Sequence, residues 1–246
     1  MMQLNKNVVT VTKEINTIET WQVLGSPMGG DVQWKDGRSA KELARYITGC
    51  YPALPDAVER VLSRFASQDA SFDWKVEYET GFSHLGYGKG MGRNHDMVIY
   101  NDDIFVGIEA KADEPFGDKT IEEELKSASD NKKNRIKKLV ELVFGDEVKK
   151  HLDLRYQLLT ACGAVLLEAQ ERHSKSAMLL VLVFLKSGTD ESGNKFYEEE
   201  NRQRNNEDWE RFLLQADAKE VSDGCYEIPT KNGIHLYAQK IEIPLQ

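Results

Sequence analysis

Residues 96–112 read Asp96-Met97-Val98-Ile99-Tyr100-Asn101-Asp102-Asp103-Ile104-Phe105-Val106-Gly107-Ile108-Glu109-Ala110-Lys111-Ala112. Two apolar runs flank a short polar one, the pattern of two strands joined by a tight turn. With Asp102 and Asp103 central, Asn101 pairs with Ile104. Walking outward then sets Tyr100 opposite Phe105, Val98 opposite Gly107, and Asp96 opposite Glu109. A four-residue loop preserves this register and a three-residue loop does not. Directly opposed residues share a sheet face with Cβ atoms about 5 Å apart. Period two also places Lys111 on the face of Glu109. Ile104, Val106, Ile108 and Ala110 take the other face and are predicted to pack inward.

Two opposed carboxylates repel, and such cross-strand pairs are normally avoided. A divalent cation reverses the sign. Mg²⁺ takes oxygen ligands, usually one or two carboxylates with water and substrate phosphate. A lysine beside the pair can orient an attacking water or neutralise charge on a phosphate. A Glu-x-Lys on a strand is more often a solvated polar face with the lysine offsetting the glutamate. The aspartate opposite Glu109, twelve residues intervening, is what favours a metal site, with Mg²⁺ or Mn²⁺ as the expected cofactor.

Upstream, Trp74, Val76, Tyr78 and Thr80 alternate with Lys75, Glu77 and Glu79, as in a half-buried strand. Ser39 and Glu42 have capping-box spacing, predicting a helix that carries Leu43, Ala44, Tyr46 and Ile47. Pro55 suits the first turn of another helix, with Val58, Val61, Leu62 and Phe65 as its apolar stripe. A glycine-rich loop from Gly86 to Arg93 leads into the hairpin. Downstream, Thr120 and Glu123 form a second capping box, and their helix is predicted to run to Phe144 and stop near Gly145. Leu154 to Arg172 reads as an apolar helix and Ala177 to Leu185 as a strand buried on both faces. The polar residues 187–206 read as a loop. A short helix around Trp209 to Leu214 and strands near Cys225 to Ile228 and His235 to Ile243 follow. This order predicts an α/β domain with a mixed central β-sheet flanked by helices. It is a single domain over residues 1–246, with a core at about 38–186, an N-terminal extension at 1–37 and a C-terminal elaboration at 187–246.

The bulk properties fit a globular chain: 246 residues, 40% hydrophobic and 30% charged. Three scattered cysteines, Cys50, Cys162 and Cys225, form no C-x-x-C pair. They argue against a structural zinc or a disulfide framework and for a reducing compartment. The first eight residues lack the apolar stretch of a signal peptide. The longest apolar run, 177–185, is about half the ~20 residues that a membrane span needs. A soluble, cytoplasmic protein with no membrane partner is expected. Net charge is −9, which counts against extensive phosphate-backbone binding but leaves room for a local basic surface. No P-loop, no Rossmann fingerprint, no H-E-x-x-H and no G-x-S-x-G elbow is present.

His95-Asp96, followed by Glu109-Ala110-Lys111 at the end of the next apolar strand, resembles the PD-(D/E)XK nuclease superfamily. The order of helices, strand, hairpin, helix and strand is similar to its restriction-endonuclease-like core. Ile108 to Gly117, with Arg155-Tyr156-Gln157-Leu158-Leu159, resembles an uncharacterised bacterial family usually grouped there. The resemblance spans residues 38–186. It implies that Asp96 and Glu109 are metal ligands, with the Ala110 carbonyl a third, and that Lys111 positions the nucleophilic water. It also implies an acidic residue from the first core helix, for which Glu59 is the candidate and Glu42 the second choice. Gln157 would line the site with Tyr156 in support. His95 stands where the motif often has proline.

The reading that follows is Mg²⁺-dependent hydrolysis of nucleic-acid phosphodiester bonds, DNA first, and a homodimer is compatible with it. Lys89, Arg93 and His95 on the glycine-rich loop, together with Gln157, are candidate nucleic-acid contacts; a plain connector explains that loop equally well. Lys126 to Lys138 holds six basic residues and one acidic. That run is a candidate phosphate-binding helix, although a solvated face is the commoner explanation. The rival reading is a binding or regulatory module that kept the fold without turnover. A third is hydrolysis of a smaller phosphoester.

Overall fold

The computed structural model describes residues 16–24, 34–65, 71–82, 85, 92–112, 114–186, 188–189 and 199–245. The hairpin is its centre. Strands β2 (Arg93–Tyr100) and β3 (Ile104–Lys111) pair antiparallel, with Tyr100 opposite Phe105, Val98 opposite Gly107 and Met97 opposite Ile108. The register predicted from the turn is therefore the observed one over these pairs. Asn101 fixes it: its amide donates to the Ile104 carbonyl at 3.0 Å, and its side-chain oxygen accepts from the amides of Asp103 and Ile104, also at 3.0 Å. An asparagine closing a turn on its own following backbone is a familiar local device.

Around the hairpin lies a seven-stranded mixed sheet. Strand β1 (Asp73–Thr80) pairs antiparallel with β2. Strand β4 (Ser176–Lys186) runs parallel to β3 and, on its other side, to β7 (His235–Leu245). Strands β6 (Cys225–Ile228) and β5 (Lys219–Ser222) complete the antiparallel end, giving the order β1-β2-β3-β4-β7-β6-β5. The continuous apolar run of β4 is explained by this position: Ala177 to Phe184 are buried on both faces of a central strand.

Each face carries a core. On one, helices α2 (Ser39–Thr48) and α3 (Asp56–Leu62) join α1 (Ile18–Leu24), packing Trp21, Leu43, Ile47, Val58 and Leu62 with Met97, Ile99, Ile108 and Leu180. On the other, α5 (Asp130–Phe144), α6 (Tyr156–Glu171) and α7 (Glu199–Gln215) cover Val98, Phe105, Val181 and Ala238. Helix α6 is apolar nearly all round because it lies between the sheet and α5. Gly163 lets the two helices close up, since a Cβ there would meet Leu139 Cδ2 at 2.4 Å. Among the described residues no helix is long and apolar enough to cross a membrane.

Several boundaries differ from the sequence reading. Helix α2 starts at Ser39 without a capping box: Glu42 accepts from the Gly37 amide at 2.6 Å and from Arg45 at 3.0 Å instead. The helix expected from Thr120 to Phe144 is two, α4 (Ile121–Lys126) and α5. The Thr120–Glu123 capping box opens the first, and Ser129 caps the second by accepting from the Lys132 amide. Two good N-cap residues, Thr120 and Ser129, inside a polar stretch favour a break between them. Gly145 ends α5 in the left-handed region at φ 63°. Residues 199–206, expected in a loop, form the first half of α7. They contain no Gly or Pro, and Arg202 reaches Glu242 of β7 at 2.7 Å. The C-terminal segment is no peripheral elaboration, because β7 lies beside β4 within the sheet. Trp21, in the expected N-terminal extension, is also core.

Candidate functional site

The three parallel strands β3, β4 and β7 end at one edge of the sheet, where the start of the antiparallel β2 also lies. Crevices at the C-terminal ends of parallel strands are common ligand sites. Here the hairpin opens. Its ladder alternates so that the Ala110 N–H would next bond the His95 carbonyl. The observed acceptor is the Asp96 carboxylate: Oδ2 takes that proton at 2.7 Å. Asp96 thus substitutes a side chain for a ladder bond, and the pairing stops at Met97 opposite Ile108.

Beyond this point Arg93 and His95 both turn onto the face of Glu109. Strict alternation puts His95 with Met97 and Ile99 on the opposite face. Instead its ring lies over Gly107, and a Cβ on Gly107 would meet His95 Cε1 and Val165 Cγ1, each at 2.6 Å. Glycine at 107 makes room for the imidazole. His95 is fully buried, with Nδ1 3.4 Å from Glu109 Oε1 and neither ring nitrogen in a well-aligned hydrogen bond. A residue withdrawn from solvent in this way backs Glu109 and does not reach a strand of nucleic acid, which corrects that expectation.

Glu109 is buried at 3% exposure, and Lys111 is nearly as buried at 7%. Arg93 contacts Glu109 Oε2 with its guanidinium, and Gln157 on α6 donates to the same oxygen at 3.4 Å. Burial pushes the Glu109 carboxyl up, but Arg93, then His95 and Lys111, outweigh it and hold the pKa at about 2. Asp96 goes the other way. Burial and then repulsion from Glu109 raise it to about 6, only partly offset by Lys111, the Ala110 amide and Arg93. Lys111 makes no ion pair among the described residues and acts on both carboxylates through space.

The structure thus brings together Arg93, His95, Asp96, Glu109, Ala110, Lys111 and Gln157. It does not bring Glu59. That residue sits on α3, whose buried residues pack on the face away from Glu109. Glu42 is committed to Gly37 and Arg45 on the same side. Lys89 lies outside the described residues. Among those described, no group of three or more His, Cys, Asp or Glu is placed to hold a metal.

Next to Glu109 opens a cleft of about 490 Å³, to which Arg93, Lys119, Arg135, Tyr156 and Gln157 contribute together with Phe82. Phe82, Lys119 and Arg135 were not singled out in the sequence. Arg135 carried a signal, being one member of the basic run. Others in that run are already engaged: Lys132 with Glu124, and Lys138 with the Leu85 carbonyl at 2.6 Å.

Residues 14–245 match the family described as domain of unknown function DUF6946. The chain belongs to that family. No curated protein and no solved structure gives a significant match. The matched region of this DUF6946 chain runs from before α1 to the end of β7, so the opened hairpin and the cleft both lie inside it.

Proposed function

We propose that this chain is a Mg²⁺- or Mn²⁺-dependent phosphodiesterase acting on nucleic acid, DNA in the first place, with Asp96, Glu109 and Lys111 at its centre. The observation that carries the reading is the Asp96–Glu109 juxtaposition. Half-buried Asp96 and buried Glu109 share one corner, and the charge of Asp96 is costly there in the protein alone. The donor set fits a hard divalent cation. Both side chains offer oxygen, and Glu109 Oε1 is a buried oxygen without a hydrogen-bond partner. Asp96 and Glu109 would hold the ion, with the Ala110 carbonyl as a further oxygen. Two carboxylates with water and substrate phosphate suffice for Mg²⁺. When bound, the ion would supply Lewis acidity and a more acidic water.

The remaining work falls to the chain. Lys111, buried beside both carboxylates, orients the attacking water and offsets charge developing on the phosphate. Arg93, which spans Glu109 and the cleft, holds Glu109 ionised and offers its other donors to phosphate. His95 and Gln157 fix the Glu109 carboxylate from behind and from α6. The cytoplasm is the proposed compartment, in keeping with one exposed and two buried free cysteines.

A second reading has its own support. Arg93 already neutralises Glu109, and no third acidic group joins the pair among the described residues. A module that binds nucleic acid without cutting it would need nothing more. Incubating supercoiled plasmid and single-stranded DNA with the protein and Mg²⁺ or Mn²⁺ separates the two. Cleavage by the wild type that is lost in Asp96→Ala, Glu109→Ala and Lys111→Ala supports the enzyme. Binding without cleavage under either metal supports the module.

A further inference from the structure

We propose that the cleft beside Glu109 is a pocket for one unstacked nucleotide, so that the strand offered to the site is single or locally unpaired. The inference rests on the reading above and adds the form of the nucleic acid. A cleft of about 490 Å³ is in the range, about 300–1,000 Å³, of pockets that enclose one small ligand. A duplex, whose major groove alone is about 12 Å wide, cannot enter it.

The walls carry what a base and a phosphate need, and they come from separate elements. Tyr156, half-buried at the start of α6, gives an aromatic surface, and Phe82 after β1, only 4% exposed, backs the cleft wall. Base–aromatic stacking tolerates any sequence, because every base has a π-face. The Arg135 guanidinium lies 5.7 Å from the Phe82 ring centroid, and Lys132 Nζ lies 5.3 Å from that of Tyr156. Arg93 and Lys119 add positive charge, and Gln157 and Thr160 add amide and hydroxyl groups. Asp118 and Glu124 also line the cleft, but Glu124 is answered by Lys132. Arg93 and Gln157 belong to the cleft and to the carboxylate corner at once, so a strand seated in the cleft lies against Glu109.

Charge points the same way. A protein that tracks duplex neutralises many phosphates, whereas this chain has a net charge of −9. The basic run on α5 contributes only Arg135 to the cleft. A few cations around an aromatic pocket suit one or two phosphates with an unstacked base between them.

The test is fluorescence anisotropy with the full chain in Ca²⁺, without Mg²⁺, which reads binding apart from turnover. The probes are a labelled oligo-dT of about 12 nucleotides, within the site sizes of single-strand binders, and a blunt hairpin duplex with the same label. The single strand is expected to bind at least about tenfold more tightly. Tyr156→Ala is expected to weaken it about tenfold, Tyr156→Phe to keep it, and the exposed Lys119→Glu to weaken it without disturbing the fold. Equal affinity for both probes, or single-strand binding unchanged in Tyr156→Ala and Lys119→Glu, overturns the pocket. Single-strand preference without cleavage in Mg²⁺ keeps the pocket and removes the nuclease reading. Duplex cleavage without single-strand preference does the reverse.

Discussion

The Asp96 carboxylate accepts the Ala110 amide proton at 2.7 Å, in the place that the hairpin ladder would give to the His95 carbonyl. One side chain therefore ends the pairing of two strands and sets its own charge beside Glu109. The bond holds Asp96 in position, while burial and Glu109 make its ionised form costly.

Asp96→Asn should stabilise the metal-free protein at neutral pH. The folded pKa, about 6, lies above the ordinary aspartate value of 3.8. A carboxyl shifted in that direction binds its proton more tightly when folded, so stability falls as pH rises between these values and stays low above them. The amide keeps an oxygen for the Ala110 N–H and carries no charge. A gain of about 1–3 kcal/mol is expected at pH 7, shrinking to nothing at acid pH where Asp96 is neutral in both states. Urea melts at several pH values measure it, and a pH-independent difference would contradict the assignment.

Glu109→Gln should do the opposite. Repulsion alone suggests that removing either carboxylate relieves the pair, but Glu109 also answers Arg93, His95 and Lys111. Its folded pKa, about 2, lies below the ordinary glutamate value of 4.5, so its contribution is complete above the latter and lost as pH falls toward the former. Leaving Arg93 without its buried partner costs about 3 kcal/mol. Chemical denaturation of Glu109→Gln should therefore show a loss at pH 7 that narrows below about pH 4, the reverse in sign of Asp96→Asn.

Gly107→Ala tests the seat of His95. A Cβ at 2.6 Å from both His95 Cε1 and Val165 Cγ1 forces both side chains to move. Overpacking of this kind costs about 1–3 kcal/mol. Because the displaced ring backs Glu109, divalent-metal affinity should fall along with stability. An unchanged melting temperature would show that His95 does not occupy this position.

The hairpin register was legible because turn length fixes every pair outward from Asp102 and Asp103, and β4 because no polar residue interrupts it. That register extended one pair further would oppose Asp96 and Glu109, but the ladder ends at Met97 opposite Ile108, and Asp96 reaches the Ala110 amide instead. The burial of His95 was not legible: it follows from a side chain replacing a ladder bond at Asp96, and alternation assigns His95 to the wrong face. Glu59 was misplaced because spacing within α3 says nothing of which sheet face the helix covers. The first half of α7 looked like a loop because its polar residues pair with β7, a partner some forty residues away (Arg202 with Glu242). Strand β5, exposed along most of its length, carries no apolar signal to find.

The measurement that bears most directly on the central claim is titration of Mn²⁺ or Mg²⁺ into metal-free protein, followed by calorimetry for wild type, Asp96→Ala, Glu109→Ala and Lys111→Ala. The account predicts one site per chain in the wild type, lost in both carboxylate variants and retained in Lys111→Ala, since the lysine is no ligand. Wild-type protein that takes up neither metal, or uptake unaffected by loss of Asp96 and Glu109, would contradict it.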